Sequence, residues 1–140
     1  MKSLSISCYP FWMKKDFDGW NAKKSDLNNI QNVPFFRERE IWFCHIGLNI
    51  SSEEDGSGKD FLRPVLIMKK TSKTAFIGIP LTRTPRFGKF YFPINDDHGA
   101  SSIILSQIRA MDARRLLYRS RIMPEDLFCA LRQFVLCFLK

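Results

Sequence analysis

After Pro34 the sequence repeatedly sets a short β-branched or aromatic run against a cluster of Gly, Pro, Asp or Ser, and few architectures tolerate that rhythm. The runs read EIWFCHIGLN, RPVLIMKK, KTAFIGIPLT, KFYFPI and SSIILSQIRAMD. Each is bounded by turn-forming residues and has strand length, so five strands are expected, with a sixth short one after Leu116. The tail PEDLFCALRQFVLCFLK breaks the rhythm: Pro124 suits a first helical position, two acids follow it, and apolar residues recur at 127, 128, 131, 134, 135 and 138. That spacing is one face of a helix.

Upstream, DFDGWNAKKSDLNNI places Phe17, Trp20, the stem of Lys24, Leu27 and Ile30 at intervals of three and four, a second amphipathic helix whose first turn is weakened by Gly19. The expected fold class is mainly β with helices (α+β). It is a small, strongly bent sheet or SH3-like barrel of about five to six strands, with the C-terminal helix over one opening and the N-terminal helix packed on the body. A chain of 140 residues holds one compact core. Residues 1–37 read as an N-terminal extension and 38–140 as the main domain.

The longest apolar stretches, near Ile103 and Phe134, are interrupted by Gln107, Arg109, Arg132 and Gln133, so no membrane span is expected. Nor does the N-terminus carry a small-residue cleavage pattern. A cytoplasmic location follows from that reading. Cys8, Cys44, Cys129 and Cys137 lack Cys-x-x-Cys spacing and sit among apolar neighbours, which points to reduced, buried thiols rather than zinc ligands. His45, in an apolar strand, reads as structural. No metal and no cofactor is expected.

Charge is uneven along the chain. Residues 1–47 carry a net +2, residues 48–60 a net −3, and residues 61–140 a net +9. A positive field of that kind suits a polyanion partner. The acidic segment EEDGSGKD lacks the spacing of a phosphate-binding loop and reads as a mobile acidic loop.

Two positions stand out for chemistry. Pro64 offers no amide donor and pushes Arg63 into an extended conformation at the mouth of a strand, where its guanidinium fork is aimed and suits a phosphate. Thr82 ends another strand; if the two strands are antiparallel neighbours, both side chains reach the same rim. The loop RTPRFGKFYF that follows interleaves Arg83, Arg86 and Lys89 with Phe87, Phe90, Tyr91 and Phe92. Cations there would track a single-stranded backbone while aromatic faces take bases. Phe90 and Phe92 alternate as core residues do, leaving Arg86, Phe87 and Lys89 as the stronger candidates.

With EIWFCHIG, SSEEDG, RPVLI, IPLT and SSIILSQIRAMDARRL in order, the chain resembles the PemK/MazF family of toxin endoribonucleases over residues 38–138. The resemblance implies a homodimeric SH3-like barrel that cleaves single-stranded RNA (mRNA) at short sequences without metal and is neutralised by a cognate antitoxin protein. DNA would be met only indirectly, through the antitoxin. Carried over by position, Arg63, Thr82 and Glu53 are the implied catalytic residues. Ser102 and Gln107 match positions near the RNA groove, joining Arg83, Arg86, Phe87 and Lys89 as RNA-binding candidates. Asp112, Arg115 and Leu116 are implied to be structural, the Asp–Arg pair tying the barrel together. The loop NISSEEDG departs from the family in lacking the glycine that commonly precedes the glutamate. The CcdB-type gyrase poisons share the architecture without the Arg/Thr pair, so a non-cleaving binding module, or a general RNA-binding SH3-like domain, is the competing expectation.

Overall fold

The computed structural model describes residues 15–140. Seven antiparallel strands and two helices follow in the order α1 (Phe17–Asn28), β1 (Glu40–His45), β2 (Leu62–Lys70), β3 (Ala75–Thr82), β4 (Tyr91–Asp96), β5 (Gly99–Ile104), β6 (Arg109–Asp112), β7 (Leu116–Ile122) and α2 (Glu125–Phe138). The fold is mainly β with two helices. Strand pairing follows an open path, β4-β5-β3-β2-β1-β7, with β6 added beside β3. Its two ends are joined by side chains: Arg121 of β7 donates from Nε to Asp96 of β4 at 2.7 Å.

The prolines sit where the ladder needs no amide. Pro64 pairs with Phe43 of β1, but pairing of β2 with β3 begins only at Val65. Pro80 falls between the stretch of β3 held by β6, which ends at Gly78, and the stretch held by β5, which begins at Leu81. Pro93 lies in β4, an end of the pairing path. Central-strand positions would exclude all three.

The run SSIILSQIRAMD, expected as one strand, is two. A 3-10 turn at Leu105–Gln107 interrupts it, so that Ser102 faces Thr82 in register while Arg109 faces Gly78. The excursion buries Leu105 in the core and leaves Gln107 projecting from the strand line. Strand β1 is likewise shorter than EIWFCHIGLN suggests. It ends at His45 because Gly47 takes φ +82° and lies against the Trp20 ring, where any Cβ would collide.

Alternating side chains split the core in two. Ile41, Leu66, Ile79, Leu81, Ile94 and Ile103 meet Phe128, Leu131 and Val135 of α2 on one face. Trp42, Cys44, Val65, Ile67, Phe76, Met111 and Leu116 fill the other. The helix α2 begins one residue later than expected, with Pro124 as its cap. Helix α1 docks through Trp20 and Leu27, Trp20 meeting Phe61 edge-on at 5.5 Å.

Two sequence expectations are corrected by these contacts. Asp112 pairs with Arg114, not Arg115: Oδ2 lies 3.0 Å from Nη1 of Arg114 and Oδ1 caps the Arg114 amide. Arg115 instead donates to the carbonyls of His45 and Ile46 and lies over Trp20, fastening α1 to the sheet. Burial lowers its pKa from the usual arginine value. Of the cysteines expected to be buried, Cys44 is, whereas Cys129 and Cys137 are exposed on α2, and Cys8 lies outside the described residues. His45 is buried, its Nδ1 2.7 Å from the carbonyl oxygen of Asp60. Among the described residues, no helix is long and apolar enough to cross a membrane.

Candidate active site

Val65 lies opposite Pro80 in the β2–β3 ladder, and continuing that register by two residues sets Arg63 across from Thr82. Both line one open pocket of about 380 Å³, together with Phe43, Ser57, Pro64, Arg83, Thr84 and Tyr118. The extended entry forced by Pro64 and the antiparallel neighbour thus deliver the guanidinium and the hydroxyl to the same place. Thr82 is only 8% exposed, and its Oγ1 accepts the Thr84 amide at 3.3 Å, which leaves the hydroxyl proton free to donate.

Three of the five Arg63 N–H donors are engaged from inside, which leaves two for a ligand. Nε donates to the Asp55 carbonyl at 2.7 Å, Nη1 to the Leu81 carbonyl at 3.1 Å, and Nη2 pairs with Glu54 Oε2 at 3.0 Å. Such an arginine is held in place before any ligand arrives. The Glu54 side chain, 16% exposed, also faces Arg86 Nη1 at 3.8 Å through its other oxygen. A hydrogen bond to Tyr91 is the main influence raising the Arg86 pKa, with Glu54 adding to it.

The loop that carries Glu54 is tied down rather than trailing free. Asn49 donates twice, from its amide to Asp55 Oδ1 and from Nδ2 to the Glu54 carbonyl, and its own carbonyl accepts from Lys15 Nζ at 2.7 Å. Lys15 pairs with Asp55 at 2.8 Å, and the Glu54 amide donates to Gln107 Oε1 at 3.3 Å. Glu53 points elsewhere: its Oε1 accepts the Ile50 amide and closes a local turn at the surface. The carboxylate beside Arg63 is therefore Glu54, and Glu53, expected from position in the loop, is not brought to the pocket.

The remaining expected residues divide. Arg83 lines the pocket and lies 5.8 Å from the centre of the Phe43 ring, which stacks on Tyr118. Arg86 and Phe87 are exposed in the following loop, Phe87 at 87%. Lys89 belongs to a different cleft, with Phe90, Phe134, Cys137 and Phe138 beside α2. Ser102 is buried; its hydroxyl accepts the Arg86 amide and donates to the Arg86 carbonyl, so it shapes the loop from below instead of meeting a ligand. Gln107 meets the site only by accepting the Glu54 amide at Oε1. Phe43, Tyr118, Ser57 and Thr84 join the site without having been singled out. Phe43 was legible only as one of two aromatics in β1, and Glu54 only as the neighbour of Glu53. Among the described residues, no cluster of three or more His, Cys, Asp or Glu side chains is arranged as a metal-ligand set.

A held arginine and a strand-end hydroxyl thus share one open pocket, a donor set whose chemistry suits an anion. Residues 37–138 match the family of PemK-like, MazF-like toxins of type II toxin–antitoxin systems, and the chain belongs to that family. No curated protein matches the sequence.

Proposed function

We propose that the chain is the toxin of a type II pair acting as a metal-independent endoribonuclease on single-stranded RNA, with residues 38–140 carrying the activity. The observation that carries this reading is the convergence of Arg63 and Thr82 on one pocket. RNA supplies its own nucleophile, the ribose 2′-hydroxyl, so the protein needs to orient it, take its proton and stabilise charge on the phosphoryl oxygens. Arg63 binds the scissile phosphate electrostatically; a guanidinium with pKa above ~12 is a poor proton donor. Thr82 donates to a non-bridging oxygen. Glu54, already at Arg63, accepts the 2′-hydroxyl proton, a role that position in the loop had assigned to Glu53. The 2′-oxygen bonds to phosphorus, the 5′-oxygen leaves and takes a proton from water, and the products are a 2′,3′-cyclic phosphate and a 5′-hydroxyl.

Arg83, Arg86 and Phe87 lie on the exposed side of the site and would carry the flanking strand. A cognate antitoxin with an acidic segment complements the basic C-terminal part of the chain and neutralises it, and a homodimer in the cytoplasm is the proposed working form. Incubation of the purified protein with a long RNA in EDTA, followed by sequencing and end-group analysis, tests the reading. Cyclic-phosphate ends are expected, and RNA left intact, or cut only when metal is restored, overturns it.

A further inference from the structure

Beside the Arg63–Thr82 pocket lies a second cavity of about 370 Å³, within the range of small-ligand sites of about 300–1,000 Å³. The two share Phe43, Pro64, Leu81, Thr82 and Arg83 as a common wall. The second is completed by His98, Ala100, Ser101, Ser120 and Arg121, from the β4–β5 hairpin on one side and β7 on the other.

Its chemistry differs from that of its neighbour. Arg121 is paired with Asp96 at 2.7 Å, which holds it against the β4 side of the cavity. Phe43, Pro64 and Ala100 supply apolar surface, and beside the exposed side chains of Arg83 and His98 the cavity carries three neutral hydroxyls, Thr82, Ser101 and Ser120. One of them is orphaned. Ser101 is 8% exposed, and its Oγ is the one fully covered side-chain polar atom among the described residues that has no hydrogen-bond partner. Covering a hydroxyl without a partner is costly, and such an atom calls for an explanation. A serine has three staggered χ1 positions, so this hydroxyl can change its direction by rotation alone.

We propose that this cavity is the specificity pocket for one nucleobase adjacent to the cut, with Ser101 and Ser120 reading its hydrogen-bonding edge. The inference rests on the nuclease reading for the identity of the strand. A phosphate in the Arg63–Thr82 pocket puts the neighbouring nucleotide at the shared wall of Phe43 and Thr82, and a flat, uncharged ring with a polar edge suits apolar walls lined with hydroxyls.

The test uses the full chain, its Ser101→Ala and Ser120→Ala variants, and two probes: the four nucleoside 3′-monophosphates in calorimetric titration, and end-sequencing of a long RNA. The intact protein is expected to favour one base by about tenfold in the titration, and to show the same base at one position beside its cuts. Each alanine variant should flatten both preferences. A merely structural serine would leave the base preference unmoved. Equal binding of all four nucleotides by the intact protein, binding of none, or an unchanged preference in both variants overturns the proposal. If nucleotides are discriminated and the variants lose that discrimination while RNA stays intact, the pocket stands and the nuclease reading falls.

Discussion

Glu54 and Arg63 meet at 3.0 Å with both side chains mostly withdrawn from solvent, and the second carboxylate oxygen turns to Arg86. Glu53, one residue earlier, spends its carboxylate on the Ile50 amide. The two acids are thus separated in position by geometry alone. Glu54→Gln is expected to slow cleavage by about 10²–10⁴-fold, the usual contribution of a general base, whereas Glu53→Gln should leave the rate near that of the parent. Single-turnover rates on one oligoribonucleotide decide between them, and the opposite ranking would return the role to Glu53.

Arg63 also has a structural function. Three of its donors hold the Asp55 and Leu81 carbonyls and the Glu54 carboxylate. Arg63→Ala leaves those acceptors unsatisfied, so a loss of about 1–3 kcal/mol in stability should accompany a rate loss of about 10²–10³-fold. Arg63→Lys keeps the charge but cannot span the three acceptors with a single ammonium, and it should fall between. Denaturant unfolding read beside activity checks this; an alanine variant as stable as the parent would show that the internal contacts are not formed in solution.

Thr82 has one hydrogen bond to the Thr84 amide and a proton left over. Thr82→Val keeps the shape and removes the donor, and the expected loss in turnover is about 10²–10³-fold with little change in substrate affinity. Thr82→Ser should restore most of the rate. Measuring turnover and KM for both variants separates a lost transition-state contact from a lost binding contact.

The elements were largely legible because each strand is a short apolar run between turn residues and α2 has a clean helical face. The Arg-Pro pair was informative for a local reason, since the restriction it imposes acts within two residues. What the sequence did not reveal depends on contacts distant along the chain. Nothing in SQIRAMD announces that three residues would bulge out at Leu105–Gln107, because the interruption is set by β3, which is held by β5 at one end and by β6 at the other. The choice between Glu53 and Glu54 is made by Asn49, Lys15 and Gln107, which anchor the loop from three directions. Ser102 looked like a ligand-facing serine, yet strand alternation turns it under the Arg86 loop.

The pairing path of the sheet is open, and Arg121 with Asp96 bridges its two ends. Both side chains are less than a third exposed, and Asp96 is the only acid given to Arg121 among the described ion pairs. A double-mutant cycle with Asp96→Asn and Arg121→Met should therefore return a coupling of about 0.5–3 kcal/mol. Surface pairs usually give less. Guanidinium unfolding of the four proteins in the cycle measures it, and a coupling near zero would mean that the ends of the sheet are held by packing alone.

The cysteines offer a check on the core that needs no substrate. Cys44 lies in β1 with no exposed surface, and burial pushes its thiol pKa far up despite the opposing influence of Arg115. The thiolate is the reactive form, so a raised pKa keeps Cys44 protonated and inert at neutral pH, and raising the pH to 9 should not expose it while the fold persists. Cys129 and Cys137 stand exposed on α2. Brief treatment of the native protein with N-ethylmaleimide, followed by peptide mass spectrometry, should find those two modified and Cys44 untouched, with Cys44 reacting only after denaturation. Labelling of Cys44 as fast as Cys129 would mean that β1 is not packed between β2 and β7 as described, and the register that brings Arg63 to Thr82 would fall with it.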